Sequence, residues 1–265
     1  MAIVDKGHGT PIALVPGIQG RWEYMSRTVD ALAAAHRTIV YSLAGEPGTQ
    51  ANGTSSPTLD DLARQLAGVL DERGVSRAVV CGVSFGGLVA LHFAAQYPER
   101  TRALVLASVP GPGWHLRPSH RAYVRSPWLA APLFFAGMPA RLRREIYTAL
   151  PERRQRRSFL LGLLPLVFRA PVSPARMAGR ARLIDGIDNL VDCRRVSAPT
   201  LVVTGEPELD HVVPVDGSAS YAALIPTAKA VTLDATGHLG PVTRPDRFAS
   251  VVTSFLREVG IEQAA

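Results

Sequence analysis

Ser84 lies at the centre of the sequence Gly82-Val83-Ser84-Phe85-Gly86, with a glycine two positions to either side. A serine on a sharp turn from a strand into a helix needs small neighbours at these positions, because the strained backbone leaves no room for larger ones. The apolar residues 78–83 before it are typical of a buried strand, and residues 85–96 after it favour a helix. The start of that helix would stabilise negative charge developing during attack. We predict that Ser84 is a nucleophile.

His238 is the predicted base. A serine hydroxyl is a weak nucleophile until a base removes its proton. Of the seven histidines, His238 is the one that follows the last predicted strand and lies between glycines, Gly237 and Gly240. Such a loop suits a ring that must reach a distant residue, so His238 is expected to meet Ser84.

Asp210 is the predicted acid that orients His238 and stabilises its charged form. It ends the loop that follows the predicted strand over 200–204. Glu206 and Glu208 are competitors in the same loop. The order serine, aspartate, histidine along the chain is the one expected when a nucleophile sits on a strand-to-helix elbow.

Backbone N–H groups are expected to bind the oxyanion that forms during attack. The N–H of Phe85, directly after the nucleophile, is one candidate. Ile18 is the second, with Gln19 next, since Pro16-Gly17-Ile18-Gln19-Gly20 follows an early strand and its glycines let the backbone approach a substrate. The predicted substrate contacts are the side chains of Gln19, Trp22, Trp114 and Leu239.

Short apolar runs alternate with amphipathic stretches, which predicts a parallel sheet covered by helices. The predicted strands cover residues 11–15, 38–43, 78–83, 102–109, 200–204 and 230–233. The predicted helices cover residues 22–35, 58–73, 85–96, 215–224 and 245–259, and a loop is predicted over 45–57.

The alternation stops between residues 111 and 198, where prolines and arginines are frequent. Residues 140–150 and 152–164 look helical there. We predict a core of residues 1–111 and 199–265, with residues 112–198 inserted as a helical cap.

Together these motifs resemble the α/β-hydrolase superfamily, outside the cap. The resemblance implies an α/β fold with a mostly parallel central sheet, helices on both faces and an inserted α-helical cap. It also implies that Ser84, Asp210 and His238 form the catalytic trio. Two departures are visible: Pro16-Gly17 replaces the usual His-Gly, and only residues 2–5 remain for the two-stranded antiparallel hairpin with which the family usually begins. Either the first strand is absent, or the true start lies upstream of the given one.

The expected reaction is hydrolysis of a small-molecule carboxylic ester with an apolar acyl or aryl group, through an acyl-enzyme. The same fold also serves carbon–carbon bond hydrolysis of a diketone, thioester hydrolysis and cofactor-free haloperoxidation, and the motifs do not separate these reactions. A non-catalytic ligand receptor with this fold is the alternative from another class. No metal or organic cofactor is implied, since no Cys/His cluster has the spacing of metal ligands.

The composition is that of a globular protein: 265 residues, 47% hydrophobic and 19% charged, with a formal net charge of +7. No apolar run reaches the length of about 18 residues needed for a membrane span. The densest run, residues 159–168, is expected to be broken by Pro165. With no secretory signal visible, a cytoplasmic protein is expected.

Arginines are concentrated in the cap. The cluster comprises Arg141, Arg143, Arg144, Arg153, Arg154, Arg156 and Arg157. A solvated outer face explains it most simply. The alternative is a dock for an anionic substrate or for an acidic carrier protein, which some related esterases use. Nucleic-acid binding is disfavoured, because no aromatic residues are interleaved with the arginines and no nucleic-acid motif accompanies them.

Overall fold

The computed structural model describes residues 3–49 and 57–261, without the side chain of Ser119. Its centre is a seven-stranded sheet with the strand order β1-β3-β2-β4-β5-β6-β7. The strands are β1 (Ile3–Lys6), β2 (Pro11–Val15), β3 (Arg37–Tyr41), β4 (Ala78–Val83), β5 (Thr101–Ala107), β6 (Thr200–Thr204) and β7 (Ala228–Thr232). All neighbouring pairs from β3 to β7 are parallel, which confirms the predicted mostly parallel sheet.

The first strand of the sheet is present. β1 lies at the edge and pairs antiparallel with β3, with Ile3 opposite Tyr41 and Lys6 opposite Thr38. One strand of the expected hairpin is therefore present, and it is the one strand that precedes β2 in the described residues. Ala2, which was expected to belong to it, lies outside the described residues. The two alternatives for the other strand of the hairpin stay predictions. Arg37 of β3 contacts Asp5 at 2.8 Å and adds a charged contact between the two edge strands.

Thirteen α-helices are present in the described residues, together with short 3₁₀ turns over Trp22–Met25 and Pro98–Arg100. The helices are α1 (Ser26–Ala33), α2 (Leu59–Glu72), α3 (Phe85–Gln96), α4 (Pro118–Arg125), α5 (Pro127–Ala136), α6 (Met138–Ala149), α7 (Arg153–Arg169), α8 (Pro174–Ile184), α9 (Leu190–Arg195), α10 (Val215–Ala219), α11 (Tyr221–Leu224), α12 (Gly240–Thr243) and α13 (Pro245–Glu258).

Alternation along the strands divides the core between the two faces of the sheet. Ala13 and Val15 point to the face covered by α2, α3, α9 and α11. Ile12 and Leu14 point to the opposite face, which α1 and α13 cover. The sheet is therefore buried on both sides, as the continuous apolar character of its strands predicted.

A local signal explains where α2 begins, and two other predictions differ from the structure or fall partly outside it. The Thr58 hydroxyl accepts a hydrogen bond from the Asp61 N–H, and the Asp61 carboxylate accepts one from the Thr58 N–H, so a capping box starts α2. The helix predicted over 215–224 is instead broken at Ser220 into α10 and α11. The loop predicted over 45–57 falls partly outside the described residues.

Six helices, α4 to α9, lie between β5 and β6, where the cap was predicted. The last of them, α9, packs on core helix α3, and its Cys193 joins the core beneath the sheet. The helix α7 continues through Pro165 to Arg169, so the expected break there is wrong. The proline removes one N–H donor, yet most of α7 is exposed to solvent, which can satisfy the unpaired carbonyl.

No single helix in residues 3–49 and 57–261 is long and apolar enough to cross a membrane; α7 and α8 meet the length and composition criteria only as a pair bent by 106°.

Candidate active site

Ser84 occupies the turn between the end of β4 and the start of α3. Its backbone is strained, with φ 54° and ψ −123°, as the predicted elbow requires. The flanking glycines are needed for close packing. A Cβ atom on Gly82 would lie 2.3 Å from the Gly86 carbonyl oxygen, and one on Gly86 would lie 2.3 Å from the Val15 carbonyl oxygen. Only glycine fits at these two positions, and the close packing that it allows holds the serine at the carboxyl edge of the sheet.

His238 lies beside this serine, although 154 positions separate the two in the chain. Its Nε2 atom is 3.0 Å from the Ser84 Oγ, and its Nδ1 atom is 3.3 Å from the Asp210 Oδ2. An ionised carboxylate can only accept hydrogen bonds, so the Nδ1 atom carries the proton and Nε2 is free to take one from the serine. Both His238 and Asp210 are buried.

Asp210 is held in place by its own backbone contacts. Its Oδ1 accepts hydrogen bonds from the N–H groups of Val212 and Val213, each at 2.9 Å. Burial acts to raise the pKa of Asp210, but the hydrogen bond and charge of His238 and these two N–H donors outweigh it. The pKa of this carboxyl therefore lies below its ordinary value. Asp210 stays ionised against the imidazole.

The competing acids of the same loop lie elsewhere. Glu206 accepts a hydrogen bond from the Ala235 N–H at 2.7 Å, and Glu208 is exposed. Of the three carboxylates, Asp210 is the one that contacts His238.

The loop of the predicted oxyanion donors lies against the serine. A Cβ atom on Gly17 would lie 3.6 Å from the Ser84 Cβ, and the Gly20 N–H donates to the Gly17 carbonyl at 2.9 Å to close the turn. Ile18 and Gln19 are half-buried within it. Phe85 is the first residue of α3, so its N–H has no carbonyl partner inside the helix. The roles of the Ile18 and Phe85 N–H groups stay predictions.

The four predicted substrate contacts differ in their surroundings. Trp114 and Ile18 both pack against an apolar cap cluster that includes Tyr123, Met177 and Ala178. Leu239 packs against a second cap cluster formed by Ile146, Ala149, Leu150 and Phe159. Trp22, in contrast, packs against the core on the α1 and α13 face of the sheet. Substrate binding by these residues and by Gln19 stays a prediction.

Two buried charged residues of the cap, Glu145 and Arg180, were not predicted from the sequence to lie near the site. The Glu145 Oε1 atom on α6 accepts hydrogen bonds from the N–H groups of Gly237 and Leu239, at 2.9 and 2.6 Å. Arg180 on α8 donates to the Ile18 carbonyl at 3.1 Å and to Glu46 at 2.8 Å. The signal for Glu145 was present, since it is the one acid between residues 128 and 151 and shares a helical face with Ile146 and Ala149.

Some arginines of the cap cluster make contacts within the cap, and others are exposed to solvent. Arg141 donates to the Phe134 carbonyl and stacks on its ring, and Arg156 donates to the carbonyls of Leu150 and Pro151. Arg144, Arg153, Arg154 and Arg157 are exposed. An acidic carrier as partner of this surface stays a prediction.

Within the part of the chain that the structure describes, no group of three or more His, Cys, Asp or Glu side chains is arranged to hold a metal ion.

Comparison with known proteins adds to this geometry. The sequence profile of the alpha/beta hydrolase family matches residues 8–251. The chain is 29% identical to a putative carbamate hydrolase from Azorhizobium caulinodans, over 96% of this chain and 93% of the relative. It is 28% identical to a 2-hydroxymuconate semialdehyde hydrolase from Pseudomonas putida, over 96% and 89%. Among solved structures, a thermophilic esterase from Thermogutta terrifontis is similar, with a TM-score of 0.77 and 25% identity over 97% of this chain and 93% of the other.

Proposed function

The chain belongs to the alpha/beta hydrolase family, and we propose that it hydrolyses carboxylic esters through an acyl-enzyme formed on Ser84. The observation that carries this proposal is the 3.0 Å contact between the His238 Nε2 and the Ser84 Oγ, with Asp210 on the other ring nitrogen. The nucleophile, the base and the orienting acid thus form a continuous chain of hydrogen-bond contacts, as acyl transfer requires. The likeness to the Thermogutta terrifontis esterase supports the same reaction.

In the first half-reaction the Ser84 Oγ attacks the ester carbonyl carbon while His238 Nε2 takes the hydroxyl proton. The buried, ionised Asp210 stabilises the imidazolium that results. Collapse of the tetrahedral intermediate breaks the bond to the alkoxy oxygen. His238 returns the proton to that oxygen, so the alcohol leaves and the acyl group stays on Ser84.

In the second half-reaction water attacks the acyl-enzyme, with His238 taking the proton of the water and returning it to Ser84. In both halves the N–H groups of Phe85 and Ile18 hold the oxyanion. The start of α3 adds its partial positive charge at the same place.

An apolar acyl or aryl group is the substrate class that the cap favours. Ile18, which carries one oxyanion donor, packs together with Trp114 against the cap cluster of Tyr123 and Met177. An acyl chain bound next to the Ile18 N–H would therefore contact apolar side chains.

Carbon–carbon bond hydrolysis of a diketone is the second candidate, favoured by the similarity to the 2-hydroxymuconate semialdehyde hydrolase from Pseudomonas putida. The same serine and histidine would serve it, but the leaving group would be protonated at carbon instead of oxygen.

A rate panel separates these reactions. It comprises p-nitrophenyl esters of increasing chain length, a carbamate, a thioester and a vinylogous diketone, each with wild type and Ser84→Ala. We expect ester turnover to exceed the others in kcat/KM and to be lost in Ser84→Ala. Diketone turnover without ester turnover would replace the ester proposal by the second candidate. Resistance to all substrates and to a fluorophosphonate probe would favour a non-catalytic receptor.

A further inference from the structure

Glu145 connects the cap to the loop that carries His238. Its side chain projects from α6, and the residue is only 1% exposed. A single oxygen, Oε1, accepts hydrogen bonds from the N–H groups on both sides of His238, those of Gly237 at 2.9 Å and Leu239 at 2.6 Å. Glu145 thus binds both ends of the segment 237–239, and the middle residue of this segment is the proposed base.

A carboxylate in such a position is unusual, because burial penalises its charged form. Burial raises the pKa of Glu145 to about 7, against the two N–H donors and the charge of His238, which lower it. Asp210 raises it further by repulsion. A group retained under this penalty, beside the proposed base, is a candidate for a role in the reaction.

The charged groups around Glu145 indicate that its carboxylate interacts with the protonated form of His238. The charges that act on the pKa of Glu145 include those of His238, which lowers it, and Asp210, which raises it. Arg244, which follows the neighbouring α12, donates instead to the Ala149 carbonyl. The helix α5, which also packs on α6, carries no ionisable side chain. The helix α7 packs on α6 through Phe159, and its Arg156 stacks on the Tyr147 ring and donates to the carbonyls of Leu150 and Pro151.

We propose, resting on the function proposed above, that Glu145 is a positioning residue for the reaction. Through the N–H groups of Gly237 and Leu239 it fixes the His238 ring at the Ser84 hydroxyl. Through its negative charge it stabilises the imidazolium that forms when the serine attacks, as a second carboxylate behind Asp210. The cap thereby contributes to the chemistry as well as to substrate binding.

The two parts of this role are separable by substitution. In Glu145→Gln the amide oxygen can take the place of Oε1 and keep both hydrogen bonds, while the charge is lost. In Glu145→Ala both the hydrogen bonds and the charge are lost. Tyr24→Phe is the matched control, since it removes a different contact between core and cap, from the Tyr24 hydroxyl to the Ala170 carbonyl at 3.0 Å.

The readout is the second-order rate of Ser84 labelling by a fluorophosphonate from pH 5 to 9, which needs no ester substrate. A displaced base is expected to slow labelling of Glu145→Ala by about 100-fold. Glu145→Gln is expected to keep the rate within roughly fivefold at pH 8, because its hydrogen bonds remain. Glu145 carries its charge mainly above its pKa of about 7, so the loss of that charge acts on the upper part of the rising limb. The imidazolium is less favoured there in Glu145→Gln, and that part of the limb moves to lower pH by about 0.3 unit. Tyr24→Phe should match the wild type.

Labelling of folded Glu145→Ala at the wild-type rate would overturn the proposal. If Glu145→Ala does not fold, the pH profile of Glu145→Gln still decides, and an unmoved limb would overturn it. Failure of the proposed function gives a different result, namely a wild type that resists the probe altogether.

Discussion

The guanidinium of Arg180 donates a hydrogen bond to the backbone carbonyl of Ile18 across 3.1 Å, so a cap helix holds the loop that carries a proposed oxyanion donor. The same guanidinium contacts Glu46 at 2.8 Å, and the exposed fractions of the two side chains are 3% and 0%. Arg176 reaches the same Glu46 oxygen at 3.0 Å. Glu145 of α6 contacts the loop that carries His238 in a similar way. The cap thus provides one buried charged side chain to each of the two loops beside Ser84.

Arg180→Met is expected to lower the free energy of unfolding by about 3 kcal/mol, because it leaves the buried Glu46 carboxylate with only the more exposed Arg176. Urea denaturation measures this difference. Arg182→Met on the same helix is the control, since Arg182 is exposed and donates to a single carbonyl, that of Val124. Equal stability losses for the two variants would contradict the importance of the buried pair.

Asp210→Asn should lower kcat/KM for an ester by roughly 10³- to 10⁴-fold, because an amide opposite Nδ1 no longer stabilises the imidazolium or fixes the tautomer. Glu206→Gln is the matched control: its amide oxygen can still accept from the Ala235 N–H, and its side chain does not contact His238. Steady-state kinetics of both variants test the assignment of the acid. A loss in Glu206→Gln as large as that in Asp210→Asn would argue for the wrong carboxylate.

Much of the arrangement around Ser84 was predictable from the sequence, because each part depends on a local signal. The elbow needs glycines two residues from the serine, and β4 and α3 have the bounds predicted for them, residues 78–83 and 85–96. Glycines around His238 and the position of Asp210 after β6 placed both residues in loops at the same edge of the sheet.

The contributions of the cap were not predictable in the same way. Glu145 and Gly237 are 92 positions apart, and Arg180 and Ile18 are 162 apart, so neither contact leaves a periodic pattern. The position of Glu145 on the helical face of Ile146 and Ala149 favoured its burial, but no pattern in the sequence identified the loop of His238 as its partner. The continuation of α7 through Pro165 was also not predicted, because a proline interrupts a helix less where solvent can satisfy the freed carbonyl.

Gly86→Ala is expected to prevent normal folding or to abolish activity, because its Cβ atom would lie 2.3 Å from the Val15 carbonyl oxygen and 2.5 Å from that of Pro16. Gly68→Ala is the opposite case. Gly68 lies inside α2, and nothing lies within 4 Å of its added Cβ atom. Helix propensity then predicts a gain of about 1 kcal/mol in unfolding free energy. Circular dichroism and urea melts compare the two; a well-folded, active Gly86→Ala would contradict the packing of the elbow.

His92 is expected to make stability depend on pH. Its Nδ1 lies 2.7 Å from the Asp192 Oδ2 and its Nε2 lies 2.7 Å from the Asp60 Oδ1. The hydrogen bond to Asp192, followed by that to Asp60, raises the pKa of His92 above its ordinary value, against burial, which lowers it. A raised pKa in the folded state means stabilisation that is complete below the unfolded pKa and is lost as pH rises through the folded one.

The advantage in melting temperature of wild type over His92→Asn should therefore be larger at pH 5.5 than at pH 8.5, by roughly 2 °C or more. Thermal melts of both proteins at the two pH values measure it. An advantage that is the same at both values would show that the two carboxylates do not stabilise a protonated His92.

The most direct test of the proposed chemistry is intact-protein mass spectrometry of an ester reaction quenched in acid within its first turnovers. We predict a species heavier than the wild type by one acyl group, with peptide mapping that locates the acyl group on Ser84. The same species should be missing in Ser84→Ala, whose fold is checked by circular dichroism. Ester turnover with the acyl group on another residue, or turnover that persists in Ser84→Ala, would contradict the acyl-enzyme account.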